Sequence, residues 1–236
     1  MRHRALCSRN LMISDPEPVW RPIFMHLALF GASGRTGQLL TERALAEGHT
    51  ISALVRNPAG YPFAEKLKII QGNPFSATDI AKTLEGADAV LSALGARSWR
   101  REDVLERAIP LIVQEMETAG VARIVVLGSA GALDSAMDKQ ASWRKWLVEN
   151  IVYKTVLKWP VESQRAQYAA LSASPLDWTM VMPPMLTNGA ARGTLRVDGD
   201  ALPRDGSSIS RADVARFMVQ QLTSAAWLRK GVYITW

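Results

Sequence analysis

The stretch Leu27-Ala28-Leu29-Phe30-Gly31-Ala32-Ser33-Gly34-Arg35-Thr36-Gly37-Gln38-Leu39-Leu40 decides the fold. An apolar run of strand type passes through three glycines, spaced GxxGxxG, into an amphipathic helical pattern. In this order each glycine has its own use. Gly31 permits a tight turn, Gly34 lets the backbone approach a phosphate, and Gly37 lets the helix pack against the strand. The first N–H groups of the helix and the positive end of its dipole then face an anion. The spacing predicts a dinucleotide pyrophosphate cradled by Gly31, Ser33, Gly34, Arg35, Thr36 and Gly37.

Further along, Thr50 to Val55 reads as a second strand and Lys68 to Ile70 as a short third. Ser76 opens a helix with Asp79 three residues on, a capping pair. Asp88 to Leu91 gives a fourth strand, Val104 to Thr118 a helix, and Ala122 to Leu127 a fifth strand ending in Gly128-Ser129. Asp177 to Met182 and Val232 to Thr235 supply a sixth and a seventh. Short β-branched runs without internal alternation, separated by helical patterns, predict a parallel sheet covered on both faces. The expected fold is α/β, a Rossmann-like doubly wound, mostly parallel sheet of six or seven strands. Ligands of such a sheet gather at the carboxyl ends of the strands.

Residues 25–236 read as a single domain, and 236 residues suffice for a core that needs no disulfide or metal. Residues 1–24 read as an extension or an upstream start. Arg2, Arg4 and Arg9 superficially resemble a transit peptide, but Asp15-Pro16-Glu17-Pro18 breaks any helix and Met25 directly precedes the first strand. The single cysteine, Cys7, excludes a disulfide framework and favours a cytoplasmic location. A formal charge of +6 arises from scattered basic residues. No RNA-binding signature, metal-ligand spacing or membrane-length apolar run accompanies it.

Residues 136–160 interrupt the rhythm with Trp143, Trp146, Tyr153 and Trp159 among Arg144, Lys145, Lys154 and Lys158. Their apolar positions cover much of a helical circumference, which predicts a helical insertion buried on more than one side. A packed helix, a lid, a subunit contact and an interfacial membrane helix all remain open.

Cofactor choice falls to the end of the second strand. An acidic residue there would bind the ribose hydroxyls of NAD, whereas this chain has Arg56. With Arg35 in the glycine loop, two guanidinium groups are expected at the adenosine 2′-phosphate, which favours NADP(H).

These pieces resemble the atypical short-chain dehydrogenase/reductases, in particular the NAD(P)H-binding branch that contains flavin reductase (biliverdin reductase B). Beyond the glycine loop, the resemblance rests on Leu54-Val55-Arg56-Asn57, Gln71-Gly72-Asn73 and Ala87 to Gly95. Leu176 to Pro184 and Ile209 to Phe217 complete it. The resemblance implies that Leu94 and Gly95 line a ribose and that Asn73 lies near the adenine. It also implies that Met182 and Pro183 approach the nicotinamide and that Ser129 stands beside the reacting ring as the catalytic residue.

The Tyr-x-x-x-Lys pair of standard dehydrogenases is missing: Leu157 follows Tyr153 four residues later, and Ser172 follows Tyr168. Arg165 stands near where many relatives carry the lysine. The expected activity is therefore hydride transfer from NADPH to a flat conjugated acceptor, a flavin, quinone or related pigment, with solvent supplying the proton. A non-catalytic, NADP(H)-binding redox sensor of the NmrA-like type is the other reading, and a sugar-nucleotide epimerase or dehydratase a third. The partners expected are a small aromatic substrate and at most a weak homodimer, with no nucleic acid.

Overall fold

The computed structural model describes residues 24–95 and 102–236. Residues 1–23, which hold nearly all of the expected extension, lie outside the described residues. The elements run β1 (His26–Phe30), α1 (Arg35–Ala46), β2 (Thr50–Val55), β3 (Lys68–Gln71), α2 (Ala77–Leu84), β4 (Ala89–Ser92), α3 (Val104–Ala119) and β5 (Arg123–Leu127). There follow α4 (Ser142–Leu147), a π-helical stretch (Val148–Val156), α5 (Lys158–Ser172), β6 (Asp177–Met182) and β7 (Met185–Thr187). The chain continues through β8 (Arg196–Asp198), β9 (Ser208–Ser210), α6 (Arg211–Gln220) and β10 (Lys230–Thr235).

One sheet has the order β3-β2-β1-β4-β5-β6-β10-β8. Every neighbouring pair is parallel except β10 with β8. The doubly wound, mostly parallel fold read from the sequence is present. Among the described residues the sheet has eight strands rather than six or seven, because β8 adds an antiparallel edge. Its three residues, Arg196-Val197-Asp198, hold no apolar run: an edge strand open to solvent needs none. A separate two-stranded pairing joins β7 to β9.

Both faces of the sheet are covered, which explains why its strands lack alternation. Leu27 and Leu29 pack with Leu40 and Ala44 of α1 and Val214 and Met218 of α6. The intervening Ala28 and Phe30 pack with Ile80 of α2, Ile109 and Met116 of α3, and Leu171 of α5. At the start of α2 the expected cap is present, with Ser76 Oγ accepting from Asp79 N–H at 3.3 Å.

The segment from Ser142 to Val156 departs from the burial expected of it. None of its residues is buried, and Trp143 and Trp146 are 70% and 60% exposed.

Asp213, fully buried at the start of α6, ties distant pieces together. Its Oδ2 accepts from the Arg192 N–H at 2.9 Å, the Trp236 indole at 2.8 Å and the Ser210 hydroxyl at 2.9 Å. Its Oδ1 accepts from the Gly193 N–H at 3.1 Å. Burial by itself opposes ionisation, yet these donors hold the carboxyl below the usual carboxylate range. A depressed folded-state pKa contributes stability that is present above the unfolded value and lost as pH falls through the folded one. Asp213→Asn is expected to cost about 3 kcal/mol at neutral pH, the scale for breaking a buried charged network. Urea denaturation of both proteins should show that difference shrinking below about pH 4, near the unfolded value. A gap that stays constant down the pH range would remove the ionised carboxylate as its source.

Candidate functional site

In the strand order, the chain turns back on itself between β1 and β4, and the ends of those strands open a cleft of about 1470 Å³. Its floor follows from close backbone contact. Gly31 has φ +81°, and a Cβ there would stand 2.6 Å from the carbonyl carbon of Ala93. A Cβ on Gly37 would stand 2.1 Å from the Gly31 oxygen, so Gly37 serves the packing of α1 on the turn and does not line the cleft. Gly34 is different. Its Cβ position has one neighbour, the Gly31 oxygen at 3.3 Å, and the residue faces the cleft.

Gly34 also caps α1 without a side chain, and the first turn carries no acidic residue. The opening N–H groups of α1 therefore lie at the cleft with no side-chain cap, an arrangement suited to an anion. Ser33, Arg35, Thr36 and Arg56 line the same space. So does Arg211, which the sequence reading did not assign to the site. Burial and the nearby charge of Arg35 both push the Arg211 guanidinium below its ordinary value. Arg211 donates to Asn188 Oδ1 at 2.7 Å, which fixes its direction. The one signal for it in the sequence is its place directly after Ser210, the cap of α6.

Leu94 and Gly95, beyond β4, line the cleft, as do Pro74 and Phe75. Asn73 does not, though it shapes the turn that brings those two there. Its Oδ1 accepts from Phe75 N–H at 3.1 Å, and its own N–H donates to Asp79 Oδ2 at 3.0 Å. The Arg107 guanidinium lies 4.3 Å from the centre of the Phe75 ring.

The opposite part of the cleft is formed by Leu127, Gly128 and Ser129 after β5, Leu157, Pro160, Ser163 and Gln164 at α5, and Leu186 in β7. Ser129 has no hydrogen bond from its hydroxyl to the turn it opens, so that group remains available to a ligand. Ser163 is engaged, with Oγ 2.7 Å from Glu106 Oε1. Met182 and Pro183 are absent from the lining. Met182 is fully buried in the core, and the Pro183 carbonyl accepts from Ala130 N–H at 2.9 Å. Glu102 and Asp103 line the cleft beside α3.

Neither tyrosine weighed as a proton donor lines the cleft. Tyr153 lies against Gly131, and burial pushes its phenol up. Tyr168 packs edge-on to Trp178 at 5.4 Å. Arg165 turns outward to Asp134. Among the described residues, no helix is long and apolar enough to cross a membrane, and no His, Cys, Asp and Glu cluster is placed to hold a metal.

The uncharacterized protein YwnB of Bacillus subtilis is 31% identical over 109 residues, a match covering 46% of this chain and 49% of YwnB. The chain thus matches about half the length of that relative. A Burkholderia pseudomallei protein superposes with a TM-score of 0.75 at 28% identity, over 90% of this chain and 100% of its own. ChuY of Escherichia coli O157:H7, an anaerobillin reductase, shares the fold with a TM-score of 0.72 at 24% identity, over 89% of this chain and 96% of its own. The resemblance to atypical short-chain dehydrogenase/reductases holds. Residues 31–225 match the profile of the NAD(P)H-binding family, and the chain belongs to that family.

Proposed function

We propose that this protein is an NADPH-dependent reductase that passes a hydride to a flat conjugated acceptor such as a flavin, a quinone or a related pigment. The observation that carries this reading is the division of the cleft. One part presents uncapped helix N–H groups and arginines. The other is built from Leu127, Leu157, Pro160 and Leu186, offers the neutral groups Ser129 and Gln164, borders Glu102 and Asp103, and has no tyrosine in its lining among the described residues. The likeness to ChuY, a reductase, points the same way.

On this reading, the α1 amino terminus and Gly34 hold the pyrophosphate, while Arg35 and Arg56 hold the 2′-phosphate, with Arg211 adding positive charge. Phe75 and Pro74 flank the adenine, and Leu94 and Gly95 meet a ribose. The nicotinamide, when bound, supplies the hydride. Leu127, Leu157 and Leu186 exclude water, and Ser129 orients the ring or the acceptor. Orientation in a dry pocket is the protein's main contribution, and the proton comes from solvent. The missing Tyr-x-x-x-Lys pair also suits a sensor that binds NADP(H) without turnover. Following NADPH absorbance with a panel of flavins and quinones separates the two readings: tight binding with no oxidation by any acceptor would favour the sensor.

Titration should show NADPH binding more tightly than NADH, and Arg56→Ala should lose about 1.5–3 kcal/mol for NADPH, the range for a charge-assisted contact. Equal affinities in the wild type would sink the 2′-phosphate assignment.

Gly34→Val should keep the fold, since a Cβ there meets a single atom, the Gly31 oxygen at a close 3.3 Å, and the backbone is extended, with φ −74° and ψ 163°. The same variant should lose cofactor binding. Normal NADPH binding by a folded variant would place the pyrophosphate elsewhere.

Tyr153→Phe and Tyr168→Phe should retain most of the activity, whereas Ser129→Ala should lose more. A positioned general acid contributes about 10²–10⁴ in rate. A loss of that size in either tyrosine variant, at unchanged cofactor affinity, would restore the conventional dehydrogenase mechanism.

A further inference from the structure

Helix α5 presents Pro160, Ser163 and Gln164 to the cleft, with Gln167 one turn further along and completely buried behind them. The orientation of the Gln167 amide is fixed by its partner. Its Nε2 donates to the carbonyl of Leu127 at 3.1 Å, and a backbone carbonyl can only accept. The same Nε2 lies 3.3 Å from Gln164 Oε1 and donates to it. That contact in turn fixes Gln164: its oxygen is held by Gln167, and its NH₂ is left as the donor, without a protein acceptor among the described residues. Gln167 Oε1 is buried and unpartnered, so the Gln164 NH₂ is not spent on it. The outcome is a neutral donor, set by a second buried amide, on the part of the cleft that also holds the free hydroxyl of Ser129.

We infer that Gln164 is a specificity-determining residue that selects acceptors bearing a ring carbonyl, by donating its Nε2–H to that oxygen, with Gln167 as the residue that positions it. This deepens the reductase reading and rests on it. When a hydride leaves NADPH and adds to the conjugated ring, an electron pair moves onto the carbonyl oxygen. NADPH is oxidised to NADP⁺, the acceptor is reduced by two electrons, and water then protonates the enolate-type oxygen. A fixed donor at that oxygen binds the developing charge more strongly than the neutral carbonyl. A donor of this kind has nothing to bind in a conjugated acceptor that carries no carbonyl.

The test uses the whole chain with two acceptors, menadione, which has ring carbonyls, and methylene blue, which has none. Gln164→Leu removes the donor. Gln164→Glu keeps the shape and offers acceptors only, which guards against a mere packing effect. Both variants are expected to lose about 10²-fold in kcat/KM for menadione, the scale set by removing one oxyanion donor. For the neutral Gln164→Leu variant, methylene blue turnover and NADPH affinity should hardly change. Gln167→Leu should show the same acceptor-selective loss, but smaller. Binding of lumichrome, a carbonyl-bearing tricycle, to the NADP⁺ complex gives a readout without turnover, and Gln164→Leu should weaken it about fivefold, as for a neutral hydrogen bond. Equal losses with both acceptors, or unchanged lumichrome affinity, would overturn the assignment. Should the wild type oxidise NADPH with neither of these nor any flavin of the panel, the reductase reading falls, and the lumichrome titration alone decides the role of Gln164.

Discussion

The site depends on a backbone contact with no room for a side chain. Gly31 leaves β1 with φ +81°, and its α-carbon lies so close to Ala93 and Leu94 that a Cβ would meet three backbone atoms within 2.8 Å. Because the ends of β1 and β4 meet this closely, the crossing point of the sheet opens into a cleft rather than closing over with side chains. Gly37 transmits the same constraint one turn along, bringing α1 against the turn. The direction of the α1 axis, and with it the direction in which its first N–H groups point, follows from these two contacts.

Much of the fold was legible because each central strand is buried on both faces. An apolar run such as Leu27 to Phe30 or Ile124 to Val126 has one physical explanation in a chain of alternating helical patterns. The edge offered no such signal: Arg196-Val197-Asp198 pairs with β10 through its backbone, helped by the Arg196 guanidinium on the Trp236 carbonyl, and neither contact calls for an apolar run. The Trp-rich segment misled in the opposite direction. Its apolar residues surround the helix, yet most of them remain near the surface, since burial depends on neighbours that a local pattern does not reveal.

The cleft itself divides along similar lines. Gly31 and Gly34, which border the cleft at a turn, could be placed from the glycine spacing, and Gly95 from the family resemblance. Residues that act through a side chain depend on register and helix rotation. Met182 ends β6 on the face that packs inward, opposite Tyr233 of β10, so its side chain joins the core. Gln164 faces the cleft while its neighbour Arg165 faces solvent and Asp134, a difference of one residue on α5 that only the packing of α5 against α3 decides. Arg211 likewise reaches the cleft because Asp213 anchors the start of α6.

The open start of α1 bears on the lifetime of the protein as well as on its ligand. A helix whose opening N–H groups have no side-chain cap, set among arginines, carries a local cost that most helices relieve with a serine or an aspartate. A bound dinucleotide would relieve that cost from outside, making the cofactor part of what holds the folded state together. A ligand present at a hundred times its Kd adds about 2.7 kcal/mol to folding stability. The stability of the folded protein in a cell would then rise with the logarithm of its nicotinamide dinucleotide pool. Depletion of that pool would expose the chain to unfolding and proteolysis before any change in its synthesis.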